Sequence, residues 1–228
     1  MKACEPLFVD AIPRIAASGL HTGSIHIWRI PYALSQGRAP LLALLAAYLD
    51  VPASAVRLEQ DARGKPYLAY PLSAPGHTSR LEFNWSHSGD YALIAISGHD
   101  AVGVDIERFG KNLRALDLAQ RFFAPSEAEA LASLAAEARN DAFIELWCAK
   151  EAILKATGEG LSFGLARLVF ARQPDAGWTL RDIDPALGEA GAWQLAGFDA
   201  APGYRGALAW RGDVREIHAL QVVSDRVA

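Results

Sequence analysis

The sequence predicts an α+β fold, and two observations carry that expectation. Apolar and polar residues alternate with a two-residue period near residues 25–30, through the 80s to 107, and again toward the end, as half-buried strands do. Between these stretches lie two helical blocks, a leucine-rich one at 40–49 and a longer region from Leu113 to Thr157. The order strand, helix, strands, then strand, helices, strands fits two similar halves, 1–100 and 101–228. With no residue-level repeat, it fits one continuous α+β domain as well.

Taken in order, IHIWRI (Ile25–Ile30) alternates as a strand and Pro31 ends it. PLLALLAAYLD opens with Pro40 in a first-turn position and reads as a mostly buried helix that stops before Pro52. VRLEQ is a second strand, leading into the turn-like RGKPY, and SAPGHTS reads as a surface loop. LEFNWSHS, YALIAIS and VGVDIE follow, the first two joined by Gly89 and Asp90, and are expected to form an antiparallel meander. In APSEAEALASLAAEA, Ser126 and Glu129 have the spacing of a capping box. A further helix is expected from about Asp141 to Thr157, ended by Gly158 and Gly160. ARLVFA, GAWQLAGF, RGALAWR and EIHALQVV return to strand patterning, so the tail reads as a sheet.

With 228 residues, 51% of them hydrophobic, the chain can bury a substantial core. A formal charge of −4 gives no general attraction for nucleic acid, so an anionic ligand must meet locally placed cations. Only five lysines occur, yet Lys150 and Lys155 lie close together. Cys4 and Cys148 show no metal or redox spacing, and no stretch is long and apolar enough to span a bilayer. The opening residues lack the apolar run of a secretory signal, and the expectation is a cytoplasmic protein with no membrane or nucleic-acid partner.

Four segments carry candidate chemistry. In VGVDIERF, strand periodicity puts Val102, Val104 and Ile106 on one face and Gly103, Asp105 and Glu107 on the other. Two neighbouring carboxylates repel unless a cation lies between them, and a hard divalent ion suits oxygen donors; two acids on a solvated edge strand would read the same way. In FIELWCAKEAILKATGEG, Trp147, Glu151 and Lys155 are four residues apart and share a helical face, with Lys150 on a neighbouring one. This pairing suits proton transfer and phosphate neutralisation, or equally a surface ion pair. In FNWSHSGDYALIAIS, Asn84, Ser86 and Ser88 alternate with Phe83, Trp85 and His87. Hydroxyls, an imidazole and a glycine turn suit a phosphate, though such residues often only complete a turn. ARGKPYL places Arg63 and Lys65 around Gly64, an exposed cationic turn or a clamp on a nucleotide.

Taken in the order RGKPY, FNWSHSGDY, VGVDIE, then FF-SE-E (from Phe122) and WCAKEAILKATGEGL, over about residues 61–165, the chain resembles the Sfp-type 4′-phosphopantetheinyl transferases. The resemblance implies a pseudo-dimer of two α+β halves, each a small antiparallel sheet with packed helices, with coenzyme A in the cleft between them. It implies Mg²⁺, with Mn²⁺ as an alternative, on Asp105, Glu107 and Glu151, and Glu151 and Lys155 as catalytic residues. It places Ser86, His87, Lys150 and Lys155 at the coenzyme, and Lys65, with Arg63 beside it, near the adenine nucleotide. The implied partner is an apo acyl or peptidyl carrier protein and the implied state a monomer. The family's longer basic segment before the leucine-rich helix is reduced here to Arg38, the candidate contact for the coenzyme 3′-phosphate. Cys148 stands where serine or threonine is usual, and reads as a small buried hydrophobe or, more sharply, a catalytic thiol. Two rival functions use the same acids: a metal-dependent phosphodiesterase, and a binding module without chemistry. The joint presence of Asp105, Glu107, Glu151 and Lys155 argues against the latter.

Overall fold

A computed structural model describes residues 8–69, 81–110, 114–173 and 177–222. A short strand β1 (Val9–Ala11) and helix α1 (Pro13–Ala17) precede β2 (Ser24–Pro31) and α2 (Ala39–Leu49). The hairpin strands β3 (Leu58–Gln60) and β4 (Pro66–Leu68) lead to β5 (Glu82–Ser88), β6 (Tyr91–Ser97) and β7 (Val102–Arg108). Helices α3 (Ala115–Phe122), α4 (Pro125–Ala132) and α5 (Ala136–Thr157) come next. The chain ends in β8 (Leu168–Gln173), β9 (Gly177–Ile183), β10 (Trp193–Ala201), β11 (Tyr204–Arg211) and β12 (Glu216–Val222). SAPGHTS and Cys4 lie outside the described residues.

The fold is α+β, in four layers. One sheet has the order β1-β12-β2-β6-β5 and a second the order β10-β11-β7, with β3-β4 and β8-β9 as separate pairs. The inner faces meet through Ile25, Ile27 and Leu93 of the first sheet and Val104, Ile106, Phe198 and Leu208 of the second. Alternation turns Trp28, Ile94 and Ile96 outward onto α2, whose Leu41 and Leu45 are fully buried. On the far side of the second sheet, Ala207 and Ala209 pack in one cluster with α5. Each fully buried large aliphatic here contributes about 1.5–3 kcal/mol.

Four expectations need correcting. LEFNWSHS, YALIAIS and VGVDIE are not a meander: β5 and β6 pair antiparallel across the Gly89–Asp90 turn, but β7 leaves for the second sheet and pairs with β11. Three successive strands have the same local pattern whether or not the third stays, and here the apolar face of β7 packs against the first sheet instead of extending it. Nor is the tail one sheet, because β12 runs parallel between β1 and β2. The first sheet is therefore mixed and takes a strand from the end of the described chain. The cap of α4 also shifts: Pro125 is at the first turn, and the Glu127 carboxylate accepts the Ala124 N–H at 2.8 Å. α5 begins at Ala136, earlier than Asp141, and ends where Gly158 adopts φ 79°, its N–H bonded to the Leu154 carbonyl.

Candidate active site

The site forms where β5 and β7, edge strands of different sheets, meet α5. β7 turns Gly103, Asp105 and Glu107 toward the helix. A Cβ at position 103 would collide with the Ala152 carbonyl and the Ala156 amide, so glycine is what lets strand and helix touch. Trp147, Glu151 and Lys155 then come to the same cleft, of about 320 Å³, lined also by Trp85, Ser86, His87, Asp105, Glu107 and Leu161. The helical spacing and the strand alternation each place their side chains as expected.

Within the cleft the Lys155 ammonium donates to Asp105 Oδ1 at 2.5 Å and to Ser86 Oγ at 2.8 Å, and Ser86 donates to the same Asp105 oxygen at 2.9 Å. Ser88 donates to Glu107 Oε2 at 3.0 Å. Asp105 Oδ2 and Glu151 Oε1 are buried without a hydrogen-bond partner. Burial, reinforced by the charge of Asp105 and opposed by Lys155, pushes the Glu151 carboxyl up to about 7. Burial and Asp105 also raise Glu107, against the Ser88 hydrogen bond. Burial works against the Lys155 ammonium, but Asp105 and Glu151 outweigh it and hold Lys155 above the ordinary lysine value.

These acids fit a hard divalent cation chemically. The donors are carboxylate oxygens, two of them buried and unpartnered, and like charges crowd one another. Among the described residues no three such groups are already gathered into a metal cage. In this arrangement Lys155 supplies the positive charge beside Asp105.

The remaining sequence candidates fall elsewhere. Lys150 is wholly buried on a different face of α5, donating to Glu127 Oε2 at 2.6 Å and to the carbonyls of Leu165 and Leu168. It does not line the cleft; one residue from Glu151 is about 100° around the helix, enough to send it into the core. Lys65 donates to the Ala156 carbonyl at 2.7 Å and Arg63 pairs with Glu159 at 2.8 Å, so the RGKPY turn closes over the C-terminal end of α5, where cations complement the helix dipole. Arg38 is exposed at the start of α2. Its loop is tied to the cleft by Tyr32, whose ring lies 4.8 Å from His87 and 5.8 Å from Trp85 and whose hydroxyl donates to the Gly37 carbonyl. Cys148 is fully buried and its thiol is pushed well above the usual range, chiefly by burial, which makes it an inert hydrophobe rather than a nucleophile. Neither Trp85, named only for its alternation with Ser86, nor Leu161 is a site candidate in the sequence. Trp85 alternates away from Ser86 along β5, and Leu161 sits in an irregular turn with no periodicity to reveal it.

No helix among the described residues is long and apolar enough to cross a membrane. Residues 101–209 match the 4′-phosphopantetheinyl transferase superfamily model, and residues 33–99 match the model named 4′-phosphopantetheinyl transferase, N-terminal. The chain is 34% identical over 174 residues to the Nostoc sp. 4′-phosphopantetheinyl transferase HetI, covering 73% of this chain and 71% of that one. It is 37% identical over 159 residues to a Synechocystis sp. protein with a provisional 4′-phosphopantetheinyl transferase name, covering 70% and 61%. It is 36% identical over 148 residues to the Homo sapiens L-aminoadipate-semialdehyde dehydrogenase-phosphopantetheinyl transferase, covering 62% of this chain and 47% of the human one. The matched segments hold every residue of the cleft, from Trp85 on β5 through the β7 acids to Glu151 and Lys155, and on that ground the chain belongs to the 4′-phosphopantetheinyl transferase superfamily.

Proposed function

We propose that this chain transfers the 4′-phosphopantetheine arm of coenzyme A to a serine hydroxyl of an apo acyl or peptidyl carrier protein, giving the holo carrier and 3′,5′-ADP. The observation that carries the reading is the convergence of Asp105, Glu107, Glu151 and Lys155 in one cleft, with buried carboxylate oxygens left unpartnered. Asp105, Glu107 and Glu151 would hold Mg²⁺ or Mn²⁺, which when bound neutralises pyrophosphate charge as a Lewis acid. Glu151, directly or through one water, takes the proton of the carrier serine. The serine oxygen then bonds to the phosphorus bearing pantetheine as the bridging bond to 3′,5′-ADP breaks. Lys155 offsets the charge that develops on the departing phosphate. Ser86 and His87 meet the coenzyme at the rim, and Arg38, held near that rim through Tyr32, is the candidate for its 3′-phosphate. Arg63 and Lys65 support this reading as the cationic turn next to Lys155. The reading also places the enzyme in the cytoplasm, acting as a monomer.

The test is intact-mass analysis of an apo carrier protein incubated with coenzyme A, Mg²⁺ and this protein. A gain of one phosphopantetheine per carrier is expected. Cleavage of coenzyme A with no change in carrier mass would replace the transferase reading with a hydrolytic one.

A further inference from the structure

β5 and β7 lie side by side at the cleft but belong to different sheets, and side chains of β5 close the seam between them. Asn84 Oδ1 accepts the Val104 N–H at 2.9 Å, and Ser88 Oγ accepts the Arg108 N–H at 3.1 Å. Both strands repeat every two residues, so Ser86 and Ser88 meet Asp105 and Glu107 at the same offset. Each serine donates to a single oxygen of its acid, Ser86 to Asp105 Oδ1 and Ser88 to Glu107 Oε2. Ser86 also receives Lys155 and lines the cleft, whereas Ser88 does neither.

We propose that Ser88 is a positioning residue for Glu107, fixing Oε2 from outside the cleft so that Oε1 is the oxygen available to a divalent cation. A serine hydroxyl has one proton and two lone pairs. The Arg108 N–H occupies a lone pair and sets the direction of the hydroxyl, which commits its proton to Glu107. Gly89, at φ 54°, begins the turn that holds Ser88 at the strand end. Hydrogen bonds of this kind orient ligating carboxylates, and losing one typically weakens metal affinity about 10- to 100-fold. The inference rests on the reading of the cleft as a carboxylate metal site.

The experiment uses the full chain as wild type, Ser88→Ala, Ser88→Thr and Ser88→Cys. Mn²⁺ binding is followed by the electron paramagnetic resonance signal of free Mn²⁺ in the presence of coenzyme A and no carrier. A Mg²⁺ titration of arm transfer runs in parallel. Ser88→Ala is expected to weaken Mn²⁺ binding about 10-fold and to raise the half-saturating Mg²⁺ by a similar factor, with turnover at saturating Mg²⁺ largely kept. Ser88→Thr, which keeps the hydroxyl, restores both. Ser88→Cys, close in size but a weak donor, behaves as Ser88→Ala and serves in its place if the alanine variant does not fold. Unchanged Mn²⁺ binding in Ser88→Ala would overturn the proposal while leaving the metal site standing. So would a loss of turnover and melting temperature that is equal at every Mg²⁺ concentration, the mark of a purely structural seam. A wild type that binds no Mn²⁺ and needs no divalent cation would overturn the metal site and the proposal together.

Discussion

Glu151 and Lys155 sit one helical turn apart, and each is bent from its ordinary chemistry by the same neighbour, Asp105. The acid is raised to about 7 by burial and by the adjacent carboxylates, and a cation held by those carboxylates would draw it back toward the ionised form that accepts a proton. The base is held charged, which suits a group that must face a departing phosphate. Replacing either, as Glu151→Gln or Lys155→Ala, is expected to lower transfer at saturating Mg²⁺ by about 100-fold, some 2.7 kcal/mol in barrier, with circular dichroism unchanged. Turnover near wild type in both variants would remove these roles. Gly103 makes a steric contribution of equal consequence. Gly103→Ala forces the β7 backbone away from α5 and is expected to destabilise the fold by about 1–3 kcal/mol in urea titration, and to lower activity by displacing Asp105 from Glu151.

Helix α5 carries two functions on different faces. Trp147, Glu151 and Lys155 face the cleft, and Lys150 faces the core. There Glu127 accepts from Lys150, from the Ala124 N–H that opens α4, and from the Phe170 N–H of β8. A single buried ion pair thus joins α4, α5 and the segment 165–170. Burial lowers the Lys150 ammonium to about 8 and Glu127 works against that loss, so the pair is held together by its hydrogen bonds. Lys150→Met leaves the Glu127 charge buried and unpaired, and is expected to cost about 3–5 kcal/mol in urea unfolding. The double variant with Glu127→Leu should recover much of that loss. A single variant as stable as wild type would show that the ion pair does not hold these elements. Only the helical phase of Lys150 could be read in the sequence. Which neighbour waits on that face depends on α4 and β8, distant segments brought together by packing.

Across the whole molecule, β12 is the element that joins the end of the chain to its beginning. It inserts between β1 and β2 with His218 directly opposite His26, the two rings 5.1 Å apart. Tyr48 accepts from the Trp28 indole at 2.8 Å and its hydroxyl lies 2.6 Å from His26 Nδ1, so α2 covers the imidazole from the other side. Burial, with His218 and His21 beside it, lowers His26 to about 4. In the unfolded chain the same group titrates near 6.5, so unfolding takes up a proton between those values. Stability is therefore complete above about pH 6.5 and falls as the pH drops toward 4. The loss is on the order of 2 kcal/mol, because an open groove lined by His26, His218 and Ile12 lets solvent screen the charge. Urea midpoints at pH 7.5 and 4.5 should differ less in His26→Gln than in wild type, and an equal difference would assign the acid sensitivity to other groups.

The sequence by itself determined which side chains share a face. The two-residue period of β7 and the four-residue spacing on α5 are local backbone geometry, so Asp105 with Glu107, and Glu151 with Lys155, were legible together with the order of motifs that marks the family. Partnership between faces was not. Nothing local distinguishes a β7 that extends the first sheet from one that leaves it, a β12 that ends a tail sheet from one that returns to β2, or a Lys150 that meets a phosphate from one that meets Glu127. Those choices were made by where large apolar faces could be buried against one another, and that balance is a property of the whole chain.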